Sequence, residues 1–208
     1  MDSELKSLAL KTGTTILGIV CKDGIVMAGD RRITAGQTLI THKDYEKVYP
    51  INSYLVYAGC GSATEAQKVS KILAAELKLK GLKSRSRPTV QQAAGLLSNI
   101  QAVESAFILA GVDENGEVSL YEVTAGFLTK IKDYTASVGS GLMYVLGLLE
   151  RQYKKDMTVK EGVELAKEAI KSSTQRDIGS GNGMDIYAIT KDGIKKVVDM
   201  EIKPDYGD

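Results

Sequence analysis

The order of hydrophobic periods constrains this chain most: alternating β-branched stretches, two helical stretches, alternating stretches again, two more helical ones, and a closing alternating pair. Residues 15–21 are apolar and β-branched, Lys22-Asp23-Gly24 is a turn signal, and residues 25–28 resume the apolar run, which predicts a hairpin. Short strands are predicted over residues 38–41, 47–51 and 54–58, ending where Gly59-Cys60-Gly61 breaks the pattern. Ser62 and Glu65 have capping-box spacing, and Ala63, Ala66, Val69, Ile72, Leu73 and Leu77 then recur at helical intervals. A second helix is predicted over residues 88–101, with Pro88 in its first turn and Leu96, Leu97 and Ile100 in its apolar stripe. Strands return over residues 107–112 and 118–123 around Asp113-Glu114-Asn115-Gly116, with a further hairpin reaching Val138. Gly139-Ser140-Gly141 opens a helix through Leu148, and Thr158 with Glu161 caps another that carries Val159, Val163, Leu165, Ala166, Ala169 and Ile170. Strands over residues 184–189 and 194–200 close the chain about Lys191-Asp192-Gly193.

Each helix pair has to cover one sheet face, and the two sheets then bury their remaining faces against each other. An α+β fold of four layers, helix-sheet-sheet-helix, satisfies this most simply. The 208 residues suffice for one sizeable core, and neither a Pro-rich linker nor a compositional shift suggests a boundary within it. A net charge of +1 argues against nucleic acid or an anionic membrane as the main partner. The basic stretch over residues 78–87 reads as a solvated helix end. The apolar runs fall short of the roughly 18 residues a membrane helix needs, and residues 1–13 carry acids where a signal peptide has an apolar core. A soluble, cytoplasmic protein is expected. Cys21 and Cys60 lie in apolar surroundings without metal-like spacing and read as reduced core residues, and His42, the one histidine, excludes a histidine-rich metal site.

The chemistry centres on Gly13-Thr14-Thr15. A cut before Thr14 would make that residue nucleophile and base at once, since its hydroxyl attacks and its new α-amine has an ordinary pKa of about 7.7 to 8.0. Taken alone, Thr-Thr-Ile-Leu reads as the ordinary start of a strand. The surrounding residues supply the context: Gly13-Thr14-Thr15-Ile16-Leu17-Gly18, Gly29-Asp30-Arg31-Arg32-Ile33-Thr34, Lys47, Gly139-Ser140-Gly141 and Gln175-Arg176-Asp177-Ile178-Gly179-Ser180-Gly181. In this order they resemble the motifs of proteasome β subunits, over nearly the whole chain after the leader and most closely of the archaeal type. The resemblance implies the four-layer αββα sandwich of N-terminal-nucleophile hydrolases. It also implies a propeptide of residues 1–13 removed by autocatalysis and a single catalytic domain over residues 14–208. The implied partners are other β subunits in a seven-membered ring, a ring of α subunits, an ATP-dependent unfoldase and unfolded polypeptide substrates, with no cofactor, metal, nucleic acid or membrane.

Carried over by position, the resemblance makes Thr14 the nucleophile and Gly13 the last propeptide residue, where a missing Cβ permits the tight conformation that lets Thr14 Oγ reach the preceding carbonyl. Lys47 matches the catalytic lysine, Asp30 the carboxylate that keeps it charged, and Arg32 a residue that orders the site without reacting. Outside the family, Lys47 beside Glu46 reads as a solvated charge and Asp30 as a turn aspartate. Gly61 matches the backbone oxyanion donor, and its place just before a capped helix supports this independently, because free N–H groups and the positive dipole end favour negative charge. Ser140, Asp177 and Ser180 match the polar set around the threonine amine, although each alone reads as a cap or loop residue.

Thr34 and Ala63 fall where the family binds substrate backbone as an added strand. Gly59 matches the position shaping the floor of the pocket for the residue before the cut, ringed by Ile33, Tyr45, Tyr49, Ala63 and Gln67, and an open pocket for a long or aromatic side chain is expected. Two departures bear on the cleft: residues 34–42 are one residue longer than the family pattern, and residues 99–107 are several shorter. The competing readings are a structural ring subunit that no longer cuts, and an N-terminal-threonine transpeptidase whose acyl-enzyme is captured by an amine.

Overall fold

A computed structural model of the chain describes residues 13–36, 38–100, 102, 105–137 and 139–201. Within them the hydrophobic run after Thr15 forms β1 (Ile16–Cys21) and β2 (Gly24–Asp30), hydrogen-bonded in antiparallel register from Ile16 opposite Gly29 to Cys21 opposite Gly24. All seven residues of β2 are buried, because it lies between β1 and β11 (Gly183–Thr190) and both its faces are covered. With β10 (Tyr134–Ala136) and β12 (Gly193–Glu201) at the edges, these make a five-stranded sheet ordered β10-β1-β2-β11-β12. A second sheet is a meander of β5 (Val48–Pro50), β6 (Leu55–Gly61), β7 (Ser105–Val112), β8 (Val118–Thr124) and β9 (Phe127–Ile131).

Side-chain alternation divides the core in two. Ile16, Ile25, Met27, Tyr187 and Ile189 of the first sheet join the second sheet and helices α1 (Ala63–Ser84) and α2 (Val90–Asn99) in one cluster. Their neighbours Leu17, Ile19, Val26, Ala28, Met184 and Ile186 point the other way and pack with Val145 of α3 (Leu142–Gln152) and Leu165, Ala166, Ala169 and Ile170 of α4 (Val159–Thr174). Period-2 strands buried on both faces thus produce the four αββα layers expected from the element order. Each fully buried aliphatic side chain contributes about 1.5–3 kcal/mol.

The structure moves several boundaries. The strand before α1 does not end at Gly59, because Gly59, Cys60 and Gly61 pair with Phe107, Ala106 and Ser105 and keep β6 in the ladder. Helix α2 starts after Pro88: Thr89 is its N-cap, and Thr89 and Gln92 form a reciprocal capping box that fixes the first turn. Thr158 and Glu161 cap α4 as the spacing predicts. A ribbon of β3 (Ile33–Ala35) and β4 (Leu39–His42) absorbs the extra residue near position 40, since Ile33 pairs with His42 while Thr34 pairs with Ile40. Thr41 lies in the resulting irregularity and its hydroxyl donates to Ile33 O. Val138, the leader before Gly13 and part of the shortened 99–107 segment lie outside the described residues.

Candidate active site

Thr14 sits at the entry to β1, 2% exposed, where the ends of β2, β6 and the loops before α3 and β11 converge. Its Oγ1 donates to the carbonyl oxygen of Gly13 at 2.7 Å. Lys47 Nζ reaches the same oxygen at 3.0 Å and Asp30 Oδ1 at 2.7 Å. Asp30 closes β2 and is fully buried, and its two oxygens also accept from the backbone N–H groups of Thr15, Arg32 and Gly181. Four donors satisfy this carboxylate, so it is held as an anion beside the lysine. Burial pulls the Lys47 pKa below 10.5, against the charge and hydrogen bond of Asp30, which pull it up. The result is a buried ammonium, on the carbonyl joining Gly13 to Thr14, that gives up its proton more readily than a solvated lysine.

On the opposite side Thr14 N donates to Ser140 Oγ at 3.1 Å, and Ser140 Oγ donates to Asp177 Oδ2 at 2.6 Å. Ser180 Oγ donates to the same carboxylate oxygen at 2.5 Å, which leaves Thr15 Oγ1 to donate to Ser180 across 2.7 Å. Asp177 Oδ1 accepts from Gly179 N and fixes the turn that carries Ser180. Arg32 donates to Ile178 O and to the Asn182 side chain, pinning the 177–182 loop from outside without touching Thr14.

Thr34 accepts from Gly13 N at 3.0 Å, so its hydroxyl holds the leader backbone next to the Gly13–Thr14 bond. Gly13 itself is pressed onto Gly179: a Cβ on either would collide with the other's backbone. The cleft beside Thr14 is lined by Ile33, Tyr45, Lys47, Tyr49, Gly59, Gly61 and Ala63 among others. Gly61 ends β6 at φ 101°, a conformation that favours glycine, directly before the Ser62 N-cap of α1. Gln67 lies one turn further along α1 than Ala63 and is not among the residues that line the cleft.

Thr14 and the six residues expected to act with it are thus brought within one connected region, and His42 is exposed on β4 with its ring against Thr41. Sequence reasoning missed Thr15 as a link to Ser180, Gly179 as the surface against Gly13, and Tyr57, which also lines the cleft. Period 2 from Gly59 signalled Tyr57 in the sequence, since residues two apart on a strand share a face. Asn182 between two glycines signalled the left-handed turn it adopts at φ 64°.

Residues 10–189 match the family model described as proteasome subunit. The chain belongs to the proteasome subunit family. Its similarity is to β-type proteasome chains. It is 39% identical over 191 residues to the proteasome subunit beta of Nanoarchaeum equitans, covering 88% of this chain and 96% of that protein. It is 38% identical over 193 residues to that of Methanobrevibacter ruminantium, covering 91% and 92%. It is 38% identical over 198 residues to proteasome subunit beta 1 of Thermococcus onnurineus, covering 92% and 95%. The four-layer sandwich is accordingly the proteasome subunit fold of the N-terminal-nucleophile hydrolases, and membership implies assembly with other proteasome subunits. Among the described residues no helix of this proteasome subunit is long and apolar enough to cross a membrane, and no cluster of three potential metal ligands occurs.

Proposed function

We propose that this chain is a threonine endopeptidase subunit of a proteasome core, which frees Thr14 by cutting its own Gly13–Thr14 bond and then hydrolyses unfolded polypeptides. The observation that carries the reading is the convergence of Thr14 Oγ1 and Lys47 Nζ on the Gly13 carbonyl oxygen, at 2.7 and 3.0 Å. In the self-cleavage, Thr14 Oγ bonds to the Gly13 carbonyl carbon and its proton passes to the departing Thr14 nitrogen. The C–N bond breaks and an ester remains. Lys47 stabilises the negative charge that develops on the carbonyl oxygen. Water then cleaves the ester, leaving a Gly13 carboxylate and a free Thr14 amine beside Ser140.

With external peptide, Thr14 Oγ attacks the scissile carbonyl while the amine takes its proton and Gly61 N–H, at the edge of the same cleft, receives the oxyanion. The scissile C–N bond then breaks as that proton passes to the departing amine, and water hydrolyses the remaining ester to release the acyl fragment and restore Thr14. Asp177 orients the amine through Ser140 and holds the neighbouring Thr15 through Ser180, and Lys47 beside Asp30 favours the threonine alkoxide. Before cleavage the amine is locked in an amide, so the precursor lacks its base and is inactive on other peptides. The working assembly is a seven-membered β ring docked on an α ring and fed by an unfoldase, in the cytoplasm.

Intact mass of the chain assembled with α rings tests this first. Wild type is expected to lose residues 1–13 and Thr14→Ala to retain them; efficient trimming of Thr14→Ala would refute self-processing. Incubation with a peptide then separates three outcomes. Hydrolysis fragments support the peptidase, ligated products alone indicate a transpeptidase, and no product from a fully trimmed assembly indicates a structural subunit.

A further inference from the structure

Gly59 does not open the pocket expected at its position, and the reason lies in what fills the space its side chain would take. A Cβ there would stand 3.0 Å from Ala66 Cβ on α1 and 3.0 Å from the Tyr57 hydroxyl. The missing side chain has let α1 close on β6 instead of making room for a ligand. Tyr57, two residues earlier on the same face of β6, spreads under Gly59 from below. It is fully buried, its hydroxyl donates to Ala66 O at 3.0 Å, and its ring packs 5.5 Å from Phe107 and 5.6 Å from Tyr49. Three restraints on a side chain with two rotatable bonds leave it no second position in a close-packed interior. The side walls are held as well: Tyr49 donates to Ser70 Oγ at 2.9 Å, and Tyr45 N donates to Arg31 O. What remains beside Thr14 is a cavity of about 10 Å³. That is the room of about one water, whereas a void on the order of 150 Å³ takes up a benzene ring.

We propose that Tyr57 determines which side chain is accepted before the cut: as the fixed floor of the pocket beside Thr14, it admits small residues such as alanine and rejects aromatic ones. This rests on the peptidase reading of Thr14. The experiment uses the chain assembled with its α ring, with loss of residues 1–13 verified by mass. Two peptides identical except for Ala or Phe before the scissile bond are compared by kcat/KM. Because the readout is a ratio within each variant, partial loss of assembly or folding cancels.

Wild type is expected to favour the Ala peptide by about 10-fold or more, the discrimination a filled apolar pocket provides. Tyr57→Leu, which lowers the floor, is expected to bring the two peptides to within a few-fold, and Tyr57→Phe, which removes only the hydroxyl, to move the ratio less. Ala66→Gly recedes the opposite wall and is expected to shift the ratio in the same direction, so the proposal is testable even where Tyr57→Leu does not fold. Equal cleavage of both peptides by wild type, or a ratio unchanged in both Tyr57→Leu and Ala66→Gly, would overturn it. If trimmed wild type cleaves neither peptide, the peptidase reading fails and takes this proposal with it.

Discussion

Asp30 and Arg31 are consecutive, yet each anchors a different ion cluster, and the two clusters treat their cations in opposite ways. Asp30 pairs with Lys47 where the side chains are 0% and 3% exposed, and there burial outweighs the pair and lowers the lysine pKa. Arg31 faces the other side and meets fully buried Asp185, together with the largely exposed Asp199 and Asp44. Lys196 binds Asp185, Asp199 and Glu46 at 2.6–2.9 Å. Burial is the largest single influence on Lys196 and pulls its pKa down, but the hydrogen bonds to Asp185, Glu46 and Asp199 together raise it. The Arg31 pKa is raised chiefly by Asp185. Chain alternation links the clusters, because Asp44 and Glu46 join the Arg31–Lys196 side while Tyr45 and Lys47 face the Thr14 cleft. One segment is therefore stapled by its even residues so that its odd residues can serve the site. A cation wrapped in carboxylates is held tightly as an anchor; a cation with one carboxylate and little water is left reactive.

The largest effect is expected from Lys47→Ala. It leaves Asp30 buried without its cation, costs about 3–5 kcal/mol in thermal or chemical unfolding, and reduces peptide cleavage to background. Retained turnover in that variant would remove the lysine from the chemistry. Next comes Gly13→Ala, whose Cβ collides with the Gly179 backbone and displaces the carbonyl from Thr14 and Lys47. Trimming, followed by mass against time, is expected to slow on the order of 100-fold. Lys196→Met probes the anchoring cluster and is expected to cost only about 1 kcal/mol, since Asp185 keeps Arg31 and the other partners are open to solvent. Raising the salt concentration should shrink that difference and leave the Lys47→Ala penalty in place, because dissolved ions screen the solvent-exposed charges far more than the buried pair. Equal costs or equal salt dependence would erase the contrast between the clusters.

The smallest effects are in the pH dependence: stability rises with pH for both groups, in the acid range for Asp199 because its charged form is favoured and in the alkaline range for Lys47 because its charged form is disfavoured. Asp199 is held below its ordinary pKa of 3.8 by Lys196 and then Arg31, so its contribution is present above pH 3.8 and disappears as pH falls through the lower folded value. Asp199→Asn should flatten the acid limb of the stability curve. For Lys47 the folded pKa is depressed, so the charged form is disfavoured in the native state. Its contribution therefore becomes more favourable as pH rises from the folded value towards 10.5. In lysine-labelled protein its Cε resonance should titrate below pH 10.5, and titration at or above that value would contradict the burial argument.

How far the molecule could be read without coordinates varied with the range of the interaction. The strand and helix order and the Thr158 cap depend on neighbours a few residues apart, and they were legible. The Thr89 cap was also written in the sequence, but the more conspicuous Pro88 drew the helix start two residues too early. Gly59 was read as an absence to be filled by substrate, whereas α1 and Tyr57 fill it. The ion cluster of Arg31, Asp185 and Lys196 was invisible, since its members lie up to 165 positions apart and each is an ordinary charged residue.

The sequence by itself determined the periods of burial, hence two sheets between two helix pairs, and the identities of the groups around Thr14. The periods follow from local rules, because a residue's face on a strand or helix is fixed by its position along the chain, whereas the groups around Thr14 were legible only through the resemblance to proteasome β subunits. Tertiary structure alone decided that Lys47 meets the Gly13 carbonyl, that burial lowers its pKa, and that Tyr57 and Ala66 close on Gly59. Each of these depends on how closely separate layers approach and how much water they exclude, and neither distance nor dielectric is encoded in any single segment.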